Sequence, residues 1–95
     1  MPAYLIADIE VLDPQGYTEY VQRVPATVDA YGGRYIARGG ETEVIEGAHA
    51  PHRLVIIEFP SLQQLKAWWS SPEYTPVRAI RERTARSTLW GTEGL

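Results

Sequence analysis

RLVIIEF, residues 53–59, decides the fold. It is apolar at nearly every position, with Val55, Ile57 and Phe59 alternating with Leu54 and Ile56, and reads as a strand buried on both faces. Downstream, Pro60 ends the run and Ser61 caps a short helix through Trp69. Ser71-Pro72-Glu73 is a second cap signal, opening a helix to about Ala85, with its acid complementing the helix dipole. Ser87 to Thr92 reads as a final strand.

Upstream, Gly47 to His52 is turn-like, and Arg34 to Arg38 reads as a strand halted by Gly39-Gly40 and resumed over Glu43–Glu46. The glycine pair marks a bulge or bend. Ala3 to Leu12 is a further strand, with Leu5, Ala7, Ile9 and Val11 on a clean apolar face and Tyr4, Ile6, Asp8 and Glu10 on a mixed one. Asp13-Pro14 then starts a helix whose stripe is Tyr17, Tyr20, Val21, Val24, Val28 and Tyr31. Pro25 either kinks that helix or breaks it, and Gly32-Gly33 closes it. The order βα, ββ, αβ is a split βαβ arrangement. It predicts an α+β, ferredoxin-like βαββαβ domain, a four-stranded antiparallel sheet with helices on one face.

Ninety-five residues with 44% hydrophobic and 22% charged content describe one ordinary globular domain over residues 1–95. No apolar run approaches the roughly 18 residues of a spanning helix, and no basic segment precedes an apolar one, so neither membrane nor export is expected and a cytoplasmic location is. Nine Lys+Arg against 12 Asp+Glu give a net charge of −3, which argues against nucleic acid as a partner. The absence of cysteine removes disulfides, a thiol nucleophile and a Cys-based zinc site. His49 and His52 sit three apart on a proline-containing loop, without the geometry that aims two imidazoles at one ion, so no metal is expected.

Helices cover one face of such a sheet, yet the third strand is apolar on both. A bare apolar face of that size predicts a second copy packed sheet to sheet, a symmetric homodimer. The alternative cover is the C-terminal segment folded back. Period-two counting places Asp8, Glu58 and Arg38 together on this second face. Two readings stand for that trio: a binding or acid–base constellation, or an ion-pair network that fixes strand register or dimer geometry.

Several motifs together carry a resemblance: Tyr31-Gly32-Gly33-Arg34-Tyr35, Ala37-Arg38-Gly39-Gly40, Glu46-Gly47, Arg53, Val55 to Ser61, Ala67 to Tyr74 (AWWSSPEY), and Arg81. In this order and spacing the whole chain resembles the DUF1330 family, small bacterial proteins of unassigned function within the dimeric α+β barrel superfamily. The resemblance implies a ferredoxin-like protomer that pairs through its sheet into a barrel-shaped dimer, with no established reaction and no required cofactor. Arg38, Gly39, Gly40, Arg53, Glu58, Trp68, Glu73, Tyr74 and Arg81 match the family pattern. Trp69 departs from it, standing where members more often have Tyr and replacing a phenol by an N–H that only donates.

The leading functional expectation is a homodimer binding a small anionic organic molecule in a cleft between sheet and helices. Arg38, Arg53 and Arg81 are its candidate anion ligands, Trp69 and Tyr74 its walls, and Glu58 or Asp8 a polar partner. A second expectation is a cofactor-independent isomerase or monooxygenase, with Glu58 or Asp8 as the base. A third is a structural or interaction dimer without catalysis. Arg78 and Glu82 read as a solvated i,i+4 pair.

Overall fold

Proline and aspartate set the first helix. In the computed structural model, which describes residues 1–95, Asp13 accepts a hydrogen bond from the Gly16 N–H at 3.1 Å and Pro14 occupies the first helical turn. Helix α1 (Pro14–Ala30) runs unbroken through Pro25. It ends where Gly33 N–H reaches the Val28 carbonyl, with Gly32 at φ 76°. Ser61 caps α2 (Leu62–Trp69), accepting from Gln64 N–H at 3.0 Å. Helix α3 (Thr75–Thr84) begins later than the Ser-Pro-Glu signal suggests. Ser71 Oγ is taken up in the intervening turn, donating to the Trp68 carbonyl at 2.7 Å and accepting from Tyr74 N–H at 3.1 Å.

The strands are β1 (Ala3–Val11), β2 (Arg34–Arg38), β3 (Arg53–Phe59) and β4 (Ala85–Glu93), in the antiparallel order β2-β3-β1-β4 expected of the ferredoxin-like fold. Residues 43–46 form no strand; they lie exposed in the loop between β2 and β3. The last residues do not fold back over the sheet, because Gly94 N–H bonds the Pro2 carbonyl and prolongs the β1–β4 edge.

All three helices pack on one face. Ala3, Leu5, Ala7 and Ile9 of β1 and Val55, Ile57 and Phe59 of β3 meet Tyr20, Val24 and Val28 of α1, Trp68 of α2, and Val77 and Ile80 of α3. Trp68 is fully buried, tilted against Phe59 and stacked on Tyr74 with ring centroids 4.0 Å apart. Its indole N–H donates to Thr27 Oγ1 at 3.0 Å, so the one polar atom of the ring is satisfied inside the core. The other face carries no helix. On it lie Tyr4, Ile6, Asp8 and Glu10 of β1, Leu54, Ile56 and Glu58 of β3, Ala37 of β2, and Thr88 and Trp90 of β4.

One residue changes which side of the sheet Arg38 serves. Arg34 pairs with Glu58 and Tyr35 with Ile57, but Ala37 pairs with Ile56 and Arg38 with Val55, leaving Ile36 as the extra residue of a β-bulge. Strict alternation puts Arg38 beside Asp8 and Glu58. The bulge instead turns it to the helix face, where Nη2 donates to the Val21 carbonyl of α1 at 2.7 Å.

Candidate functional site

Three arginines converge between the sheet and the helices. Arg38 arrives from β2 by way of the bulge, Arg53 opens β3 opposite Ile9, and Arg81 projects from α3. They line one cavity of about 20 Å³, room for about one water molecule. Its other walls are aliphatic or aromatic, with Tyr17 and Tyr20 from α1, Tyr35 from β2 and Trp68 from α2. No carboxylate lines it.

None of these guanidinium groups has an acidic partner. Arg81 is 5% exposed, and its Nε makes a long bond of 3.4 Å to the Tyr74 hydroxyl. Arg53 lies over the Tyr17 ring at 5.9 Å, with its Nε buried and without a hydrogen-bond partner. Gly39, at φ 70°, makes room for it, since a Cβ there would overlap the Arg53 guanidinium. Guanidinium stays charged at every working pH, so burying Arg81 without a counter-charge is costly, while Arg53 is half-buried and Arg38 exposed. The cavity wall is therefore electropositive and short of an anion.

The phenols around it are donors rather than bases. Burial pushes the Tyr17 and Tyr20 hydroxyls up, and for Tyr20 the neighbouring Tyr74 adds to the effect. Burial likewise pushes Tyr35 up to about 12. Outside the cavity an open depression of about 430 Å³ is bordered by Glu10, Val11, Gly39 and His52, and it shares Ile9 and Arg53 with the inner space. Arg53 stands between the two.

Of the five residues expected to bind ligand, Arg38, Arg53 and Arg81 line the cavity, while Trp69 and Tyr74 do not. Tyr74 is fully buried behind the wall, and Trp69 lies 5.9 Å from Tyr74 between ring centroids, with the Arg81 guanidinium 5.9 Å over its ring. Arg78 makes no ion pair with Glu82; it lies over the Trp69 ring at 4.5 Å. Alternation alone did not reveal Tyr17, Tyr20, Tyr35 and Trp68 as walls, because a core-facing stripe and a cavity-facing stripe have the same spacing.

Asp8 and Glu58 are on the opposite side of the sheet from the arginines. This corrects the expectation that either supplies a polar group or a base inside the cleft. Glu58 is held by Arg34 Nε at 2.6 Å and by the Tyr4 hydroxyl at 3.1 Å. These two bonds pull its carboxyl below the ordinary value, the reverse of what a general base at neutral pH requires. Asp8 anchors the loop after β2, accepting from His52 N–H at 2.7 Å, with the His52 ring 3.6 Å and the His49 ring 4.0 Å away. No group of three or more His, Asp and Glu side chains is arranged to hold a metal ion.

The sign of the Glu58 shift gives a pH prediction. A carboxylate depressed in the folded state stabilises the fold above its unfolded value, near 4.5, and that contribution disappears as pH falls through the folded value. Thermal midpoints measured from pH 7 to 3 should therefore fall less steeply below about pH 4.5 in Glu58→Gln than in the parent. Parallel curves would mean that the Arg34–Glu58–Tyr4 cluster does not contribute to acid stability.

The ferredoxin-like order, the bulge-directed arginine and the Arg53–Gly39 contact now stand together, and the model of the domain of unknown function DUF1330 matches residues 2–95. The chain belongs to the DUF1330 family. No curated protein matches it. Among solved structures, this DUF1330 chain is similar to RPA0582, a protein of unknown function from Rhodopseudomonas palustris, at TM-score 0.78 and 17% identity, over 99% of this chain and 82% of that one. It is also similar to a dimeric ferredoxin-like protein of unknown function from Jannaschia sp., at TM-score 0.73 and 12% identity, over 99% and 100%. A third is SnoaB, a cofactor-independent oxygenase from Streptomyces nogalater, at TM-score 0.69 and 10% identity, over 99% and 93%. At such identities the likeness is one of fold, which does not carry an activity with it. No helix of the DUF1330 chain is long and apolar enough to cross a membrane.

Proposed function

We propose that this DUF1330 protein is a homodimer whose protomers each bind a small anionic organic molecule between sheet and helices, held by Arg38, Arg53 and Arg81. The observation that carries this reading is the convergence of three guanidinium groups on an aromatic cavity that contains no carboxylate. An oxyanion would supply the missing counter-charge, and the planar fork of arginine suits it. The tyrosine and tryptophan walls suit a flat apolar skeleton. Because the unliganded space is about one water in size, binding moves the Arg53 side chain toward the open depression it borders. A carboxylate-driven isomerase or oxygenase fits this cleft less well, since its acids lie across the sheet.

Two observations support the dimer. The helix-free face presents Ile6, Leu54 and Ile56, with Trp90 51% exposed, and a contiguous apolar patch of this kind marks an interaction surface. The Jannaschia relative is described as dimeric.

Arg81→Met tests the cleft. Titration calorimetry with benzoate should show binding to the parent protein and a loss of about tenfold to a hundredfold in the variant, the worth of one charge-assisted hydrogen-bond pair. Sedimentation should show the dimer unchanged. Equal affinity in parent and variant would reject the cleft, and loss of the dimer would make Arg81 a structural residue.

A further inference from the structure

Tyr20, Tyr74 and Arg81 form a short hydrogen-bonded chain behind the cavity. The two hydroxyls are 2.9 Å apart, either one able to donate, and Arg81 Nε lies 3.4 Å from the Tyr74 oxygen. The direction of the proton between the two phenols follows from what each can reach.

Arginine has no lone pair to offer, so Arg81 can only donate to Tyr74. If Tyr20 also donated to Tyr74, that oxygen would accept twice, and its own proton would need a third partner. Tyr74 is fully buried, and the Tyr74 hydroxyl makes no other hydrogen bond. That arrangement strands a buried O–H, which is costly. If Tyr74 donates to Tyr20 instead, every group on Tyr74 is satisfied. The Tyr20 proton is then free to point into the cavity, which Tyr20 lines and Tyr74 does not. Either direction leaves one O–H over; the second places it at the cavity, where a bound group can accept it, and the first leaves it in packed core.

We propose that Tyr20 is a ligand-binding donor, set by the one-way chain Arg81→Tyr74→Tyr20, and that the ligand presents an oxyanion, carboxylate in type, to the Tyr20 hydroxyl and the Arg81 guanidinium together. This inference rests on the cleft reading above and adds to it a neutral donor and the polarity of the atom it meets. Burial keeps Tyr20 protonated well past neutral pH, so the donor persists across the working range. The chain also polarises it, since each donated bond strengthens the next. Tyr74 touches no ligand; it is a positioning residue.

The test is calorimetric titration of benzoate into the parent protein, Tyr20→Phe and Arg81→Met, with folding verified by circular dichroism. Tyr20→Phe should weaken benzoate at least tenfold, and Arg81→Met should weaken it too. If Arg81→Met weakens benzoate while Tyr20→Phe binds like the parent, the donor assignment is overturned and the cleft reading stands. If the parent does not bind benzoate, or Arg81→Met binds as the parent does, both are overturned.

Should Tyr20→Phe fail to fold, 3-fluorotyrosine at position 20 replaces it. A more acidic phenol is a stronger donor, so benzoate should bind more tightly. Unchanged affinity there would overturn the assignment. As a check on the positioning role, Tyr74→Phe should weaken benzoate by a smaller factor than Tyr20→Phe, because the donor remains and only its orientation is lost.

Discussion

Replacing Trp68 by alanine should cost the fold about 3–5 kcal/mol, the range for deleting a buried large aromatic side chain. The ring is 1% exposed, stacked on Tyr74, tilted against Phe59 and hydrogen-bonded to Thr27. Truncation leaves a cavity between α2 and the sheet and removes the donor that Thr27 Oγ1 accepts from. A domain of this size has roughly 5–15 kcal/mol in total, so the variant should melt on the order of 15–30 °C lower. Trp90→Ala is the internal contrast, because that ring is 51% exposed on the helix-free face. Measured by thermal unfolding at dilutions where the protomer is monomeric, Trp90→Ala should shift the midpoint little. Equal losses in the two variants would mean that the core does not centre on Trp68.

Ile56→Asp should turn the dimer into a monomer without unfolding it. Ile56 is central on the helix-free face, between Ile6 of β1 and Ala37 of β2, and is partly open in the protomer. In a single protomer the new carboxylate stays hydrated and costs the fold little. In a sheet-to-sheet dimer it is buried without a counter-charge and costs several kcal/mol per site, and symmetry doubles the penalty. Each 1.4 kcal/mol is tenfold in association, so about a thousandfold weakening or more is expected. Sedimentation velocity should show a dimer for the parent and a monomer for Ile56→Asp at the same micromolar concentration, with unchanged circular dichroism. A parent protein that is already monomeric would remove the reason for proposing this interface.

The fold was legible because its signals are local. Val55, Ile57 and Phe59 alternate cleanly, Asp13 and Ser61 cap through their own side chains, and Gly32-Gly33 stops α1 as glycine does. The site was legible only in part. Arg53 and Arg81 could be placed by position, but the face of Arg38 depends on the bulge at Ile36, and nothing in a five-residue strand marks which residue is the extra one. Expecting the bend at Gly39-Gly40 put it a few residues late. Glu58 then appeared to share a face with Arg38, whereas its partner is Arg34, four residues earlier in the chain. Arg78 was a different miss. Helical spacing offered Glu82 as a partner, but the ring of Trp69 competes for the same guanidinium and holds it at 4.5 Å. The Tyr20–Tyr74 pair joins residues 54 positions apart, a contact visible only once α1 and α3 are packed.

Native mass spectrometry of the protein as purified, beside Arg81→Met, reads the dimer and any bound molecule in one experiment. The expected result is a dimer carrying the same added mass on each protomer, lost in the variant while the dimer persists. A monomer at micromolar concentration, or an added mass that Arg81→Met retains, would contradict it.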